Sequence, residues 1–220
     1  MLLQEIKLYT RYLYQLHIFY KEVLELPVIY SGEKTICVVA GQSYLIFTEA
    51  HDNGDPFYHF AFNIPSHKFE EAFQWLQNRA ELLWLEDYKS YIADFVNWHA
   101  KSVYFLDPAG NILELIARFD LNDHAGELFS SKQFRNISEI GLVFSDKDFD
   151  KKVNEILNKY KLPYFAKQLP LPHFRAVGDD EGLFIAVPEN RNWFSTKTAS
   201  GIFPIEVSFI NNKNLYELKM

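Results

Sequence analysis

A carboxylate stands among aliphatic residues in the stretch Asp107-Pro108-Ala109-Gly110-Asn111-Ile112-Leu113-Glu114-Leu115-Ile116-Ala117-Arg118. The first five residues are turn chemistry: proline fixes φ, and glycine and asparagine tolerate positive φ. A strand follows, and its side chains alternate faces, so Ile112, Glu114 and Ile116 share one side. An acid between isoleucines is costly to bury unless it is ion-paired, hydrogen-bonded or bound to a metal. The chemistry of the chain therefore turns on what meets Glu114.

The elements that must present this residue recur three times. The short strand Glu5–Tyr9 leads into a segment with apolar residues at Leu13, Leu16, Tyr20 and Leu24, which is helical spacing. Strand-like runs at Thr35–Ala40 and Ser43–Thr48 follow, separated by Gly41. The order restarts with strand Tyr58–Asn63 and a helix whose stripe is Phe69, Phe73, Leu76 and Ala80, with Ser66 as candidate N-cap. Strands at Trp98–Leu106 and Asn111–Ala117 flank the Asp-Pro-Ala-Gly turn. A third copy has strand Glu139–Phe144, helical stripe Phe149, Val153, Ile156 and Tyr160, and strands Phe174–Val177 and Leu183–Val187. A further strand near Phe203–Phe209 closes the chain. Without gaps, His59-Phe60-Ala61-Phe62 falls on Glu139-Ile140-Gly141-Leu142, and Phe69 on Phe149.

Three pieces in the right order carry a family resemblance: Phe19–Pro27, Tyr58–Phe62 and Val103–Leu115. With them the chain resembles the vicinal oxygen chelate superfamily, which includes glyoxalase I, bleomycin-resistance proteins, fosfomycin-resistance enzymes and extradiol dioxygenases. The resemblance implies an α+β fold of tandem βαβββ modules whose curled mixed sheets surround a cavity. It implies that residues 1–118 form two paired modules (1–50 and 57–118) around one cavity. Residues 119–135 are then a connector, and 136–220 a third, degenerate module.

In that family, metal ligands come from the first and last strands of each module. Carried over, these positions are Glu5, His59 and Glu114; the fourth, Leu45, cannot coordinate. The fosfomycin and dioxygenase branches have histidine where this chain has Glu5. One imidazole and two carboxylates suit a divalent Fe, Mn, Ni or Zn. The resemblance also makes Glu114 and Glu5 candidate catalytic bases. Tyr9 and Lys7, on the face of Glu5, and His99 are candidate substrate contacts.

Other assignments remain open for the same residues. His59 can be a core histidine bonded to main chain, Glu5 a solvated glutamate, and Lys7 the ionic partner of Glu114. Glu139 repeats the first-strand ligand position, but its last-strand counterpart is Ala186, so it reads as structural. Of Trp98 and His99, one should face the cavity. The remaining histidines, His17, His51, His67, His124 and His173, read as solvated.

Two functions are thus expected to compete. One is a metal-dependent lyase, isomerase or dioxygenase acting on a small oxygenated substrate; the other is a metal-free, bleomycin-resistance-like binding protein. A net charge of −7 with no basic cluster argues against nucleic acid. A single cysteine, Cys37, and the absence of a signal-like start or a membrane-length apolar run point to the cytoplasm. An unpaired third module would leave an apolar concave face open, which predicts a homodimer through residues 136–220.

Overall fold

A computed structural model describes residues 1–50, 54–121, 126–194 and 196–220; His51 and His124 lie outside them. The first module runs β1 (Leu2–Thr10), α1 (Leu13–Ile18), β2 (Val28–Ser31), β3 (Thr35–Ala40) and β4 (Ser43–Glu49). The second is β5 (His59–Ile64), α2 (Phe69–Gln77), β6 (Ile92–Phe95), β7 (Ala100–Leu106) and β8 (Ile112–Arg118). The third is β9 (Asn136–Phe144), α3 (Phe149–Tyr160), β10 (Arg175–Asp179) and β11 (Gly182–Pro188), followed by the hairpin β12 (Ile205–Asn211) and β13 (Asn214–Lys219).

The α+β fold of repeated modules is as the sequence indicates. The repeat extends to fine detail: α2 and α3 are each entered through a 3-10 turn, at Ser66–Lys68 and Asp146–Asp148. Ser66 therefore opens that turn, and Lys68 occupies the N-cap position of α2. The stripe Phe149, Val153, Ile156 and Tyr160 is buried as its spacing requires. In α2, Trp75 and Ala72 join Phe69 and Leu76 inside, while Phe73 is only partly buried. The first helix is shorter than its spacing suggests. It passes at Phe19–Val23 into a π-helical turn that still buries Tyr20, and Leu24 behind it is buried too.

Pairing of the modules is where the structure departs from expectation. The thirteen strands form one sheet with backbone order β2-β3-β4-β1-β9-β5-β8-β7-β6; β11 and β10 extend from β9, and β12 and β13 from β1. The second module meets the third: β5 runs antiparallel to β9, with Phe60 opposite Ile140 and Ala61 opposite Glu139. Among the described residues, strand pairing between the first and third modules is a single bridge, Leu3 to Ile137, and no strand of the first module pairs with the second. The bridge is supplemented by the Met1 amino group on Asp179 and the Ile137 amide on Ser43 Oγ. The expectation that residues 1–118 close around one cavity is corrected accordingly. The third module is therefore paired edge to edge with the second within the chain, not left unpaired as the expectation of a homodimer supposed. The closing hairpin extends the first module's sheet, with β12 antiparallel to β1.

Burial follows this arrangement. Every residue of β5, β8, β9 and β11 is buried, as expected of strands covered on both faces. In β1 and β3 burial alternates, so one face packs on the helix side and the other is only half covered. No helix among the described residues is long and apolar enough to cross a membrane.

Candidate metal centre

The turn Asp107–Asn111 sets the position of β8. Gly110 takes φ +78°, which an L side chain rarely adopts. The buried Asp107 carboxylate accepts the amides of Ala109 and Asn111, the Asn111 side chain and the Tyr20 hydroxyl. Burial pushes its pKa up to about 6 against these bonds. Asn111 Oδ1 in turn accepts the amide of Tyr58 at 2.8 Å, which fixes the start of β5.

From that start the register does the rest. Strands β5 and β8 run parallel, with His59 opposite Ile112 and Ala61 opposite Glu114. Since Ala61 also faces Glu139 across to β9, the alternation of side chains brings His59, Glu114 and Glu139 to one face. One ligand atom from each lies within 4.8 Å of the others, and all three residues are buried. His59 Nε2 is 3.8 Å from Glu114 Oε2.

The protonation pattern suits a cation. His59 Nδ1 lies 3.0 Å from the Ile112 carbonyl, which can only accept, so Nδ1 carries the proton and Nε2 presents a lone pair to the glutamates. This is the orientation that an outer hydrogen bond gives a metal-ligating histidine. Burial lowers the His59 pKa to about 4, so the ring is neutral at pH 7. Burial, and secondarily the charge of Glu139, push Glu114 up to about 8. Glu139 is also raised by burial, while its contact with Arg118 opposes the shift.

Metal–oxygen and metal–nitrogen bonds of about 2 Å place neighbouring ligand atoms roughly 3 Å apart. The three residues need only a small inward adjustment to hold a divalent ion, and they fit one. A competing partner is built in beside them. Arg118, fully buried, contacts Glu139 through Nη2, lies 3.2 Å from Ser138 Oγ through Nε, and has Nη1 3.6 Å from Asp180. Its guanidinium stacks over Trp98 and Phe165.

Above the three residues is a cavity of about 240 Å³ lined by aromatic side chains: Phe95, Trp98, Tyr104, Phe174, Trp193 and Phe194. Gln168, Leu171, Ile185 and Arg191 complete it. The His59 ring lies 5.2 Å from that of Trp193.

Of the ligand residues carried over in the sequence reading, the structure unites His59 and Glu114 and leaves Glu5 elsewhere. Glu5 sits on the half-covered face of β1, opposite Tyr44 and Ser208; its place is taken by Glu139, which had read as structural. Lys7 does not pair with Glu114; with Tyr9 it binds Glu206, at 2.7 and 3.0 Å, on the same face as Glu5. His99 is exposed, bonded to Asp120 at 2.8 Å, whereas its neighbour Trp98 lines the cavity. The gapless alignment of His59 with Glu139 was the signal for the third residue. Nothing comparable marked Arg118 or Arg191.

Two curled, strand-rich modules packed edge to edge, with acidic and imidazole side chains converging between them, are the vicinal oxygen chelate fold. A solved Bacillus subtilis protein described as a dioxygenase superposes over 100% of this chain and 84% of its own, with TM-score 0.63 and 14% identity, a likeness of fold alone. The metallothiol transferase FosB of Staphylococcus saprophyticus is 32% identical over 102 residues, covering 44% of this chain. The chain spans 64% of that relative's length. The Staphylococcus epidermidis FosB is 25% identical over 134 residues, 58% of this chain and 84% of that protein. No protein-family model matches.

Proposed function

We propose that this chain is a divalent-metal-dependent enzyme of the glyoxalase, dioxygenase and fosfomycin-resistance type. It would act on a small oxygenated substrate in the cavity between the second and third modules. The observation that carries this reading is the buried group His59, Glu114 and Glu139. Burying two carboxylates within 4.8 Å of each other and of an imidazole is unfavourable without a cation to share. The curated relatives are metallothiol transferases by name, which agrees with a metal at this place.

When bound, the ion supplies Lewis acidity toward a substrate oxygen. The chain's own residues do the remaining work. His59 is held as the Nδ1–H tautomer by Ile112, which leaves Nε2 free to ligate. Burial makes the Glu114 carboxyl hold its proton more firmly than an ordinary glutamate, so it is suited to give a proton to a substrate oxygen and take it back. The aromatic lining limits water around the reacting atoms.

A metal-free binding protein is the second reading, and Arg118 favours it. By pairing with Glu139 it supplies one carboxylate with a cation, and a protonated Glu114 supplies the rest of the neutrality. Metal analysis of protein purified without added metal, followed by thermal unfolding with Mn, Fe, Ni or Zn, separates the two. The first reading predicts a stoichiometric ion, or a Tm that rises with ion concentration as site-specific binding requires. Absence of both supports the second.

A further inference from the structure

We propose that the cavity binds a small carboxylate, with Arg191 as its anion anchor and the ligand's ring held among Trp98, Phe174, Trp193 and Phe194. This deepens the proposed function by naming a substrate class, and it shares that reading's cavity.

Arg191 follows β11 and lines the cavity. It is partly buried, and burial pulls its guanidinium below the ordinary value. Its guanidinium donates one hydrogen bond from Nη1 to the Asn192 carbonyl at 3.3 Å and lies 5.4 Å over the Phe174 ring. Three other cations near the cavity do have a carboxylate. Arg118 has Glu139, Arg175 has Asp150 at 2.8 Å, and Lys167 has Asp120 and Asp180, both at 2.7 Å. Arg191 has none among the described residues.

A guanidinium withdrawn from water without a carboxylate is unfavourable, and its planar fork matches a carboxylate with two parallel bonds. Arg191 lines the same cavity as His59, Glu114 and Glu139, so an anion bound at Arg191 would lie near the three candidate ligands. Glu139 is already matched by Arg118, so the guanidinium of Arg191 is left for the substrate to match. The chain as a whole carries −7, so this local excess of positive charge runs against its average. The rest of the wall is aromatic, and about 240 Å³ is below the size typical of drug-sized ligands. A single ring bearing one carboxylate satisfies charge, shape and volume together.

Benzoate and benzamide share a ring and differ in charge. Each can be titrated into the full-length chain, stripped of metal by chelator, while the fluorescence of the cavity tryptophans is followed. Benzoate should bind about tenfold or more tightly than benzamide, the scale of a charge-assisted pair. Arg191→Gln should bring benzoate down to the benzamide level, with benzamide affinity and far-UV circular dichroism unchanged. Should Arg191→Gln fail to fold, Arg191→Lys, which keeps the charge and loses the fork, should bind benzoate with intermediate affinity. Equal affinities in wild type, no saturable binding of benzoate, or a preference for benzoate that survives in Arg191→Gln would overturn the proposal. So would wild-type affinity in Arg191→Lys. Metal content of untreated samples separates this outcome from the fate of the enzyme reading. Metal-free protein that prefers benzoate keeps the carboxylate site and removes the metal enzyme; metal-replete protein indifferent to charge does the reverse.

Discussion

Two faces of this sheet are built from equivalent strand positions and have opposite characters. Between the second and third modules, first-strand residues His59 and Glu139 and last-strand residue Glu114 are buried under aromatic side chains. On the first module, extended by β12 and β13, the first-strand residue Glu5 lies on a half-covered surface where Glu206 gathers Lys7, Tyr9 and Lys219. The backbone plan is shared, so the difference comes from cover. Phe95, Trp98, Leu171, Phe174, Trp193 and Phe194 roof one face, while Tyr44 and Leu215 remain exposed on strands of the other. Charges under a roof need a specific partner; charges in water need none. The same module thus yields a buried His-Glu-Glu group or a solvated ion network according to what is laid over it.

The comparison breaks most sharply at the two cationic partners. Arg118→Met should cost about 3 kcal/mol in urea unfolding of the metal-free protein, because it leaves Glu139 buried without its cation. Lys7→Met on the open face should cost under about 1 kcal/mol, and less at high salt, as exposed pairs do. Similar losses for both would mean that the two faces are not electrostatically distinct.

An intermediate effect is expected where β5 and β9 meet the roof. A Cβ added at Gly141 would lie 2.5 Å from the Trp193 ring and 3.3 Å from the His59 carbonyl. Gly141→Ala should therefore displace Trp193, cost about 1–3 kcal/mol as overpacking does, and change tryptophan emission. An unchanged spectrum and stability would show that the roof is looser than drawn.

Acid–base behaviour gives a finer contrast. Glu114, raised from 4.5 to about 8, binds more protons folded than unfolded. Metal-free stability is therefore lost as pH rises from 4.5 toward 8. His59, lowered from 6.5 to about 4, acts oppositely, its contribution being complete above 6.5 and lost as pH falls toward 4. The two oppose each other below 6.5, so the clear window is pH 6.5–8. There Glu114 alone should weaken the metal-free protein by about 1.4 kcal/mol per pH unit, and saturating metal should abolish the slope. On the open face Glu206 is lowered to about 2, chiefly by its bonds to Lys219 and Lys7. Its smaller contribution is lost only as pH falls from 4.5 toward 2. Denaturation midpoints across pH 3–9, with and without metal, test both signs.

Much of this was legible in the chain. The turn before β8, the α3 stripe and the shared face of Ile112, Glu114 and Ile116 all follow from local spacing, and local spacing is what sequence displays. Glu139 was visible in the alignment with His59 and set aside because each module was asked for its own complete ligand set. The site instead draws its ligands across a module boundary. The contrast with Glu5 was also written in neighbours. On β1 the same-face companions are Lys7 and Tyr9, polar ends that mark a wet surface, while His59 has Ala61 and Asn63. Pairing of modules two and three was not legible, because edge-to-edge strand contact depends on which apolar faces meet, and all three modules have one. Arg118 and Arg191 carry no motif; their meaning is entirely in what surrounds them.

The central claim is that Glu139, not Glu5, completes the group with His59 and Glu114. It is tested most directly by divalent-metal content, or metal affinity, of Glu139→Gln and Glu5→Gln measured side by side with wild type. The account predicts metal lost or weakened by about 10–100-fold or more in Glu139→Gln, a ligand change being at least as damaging as an outer-shell one, and wild-type binding in Glu5→Gln. Full metal retention in Glu139→Gln, or loss in Glu5→Gln, would contradict it.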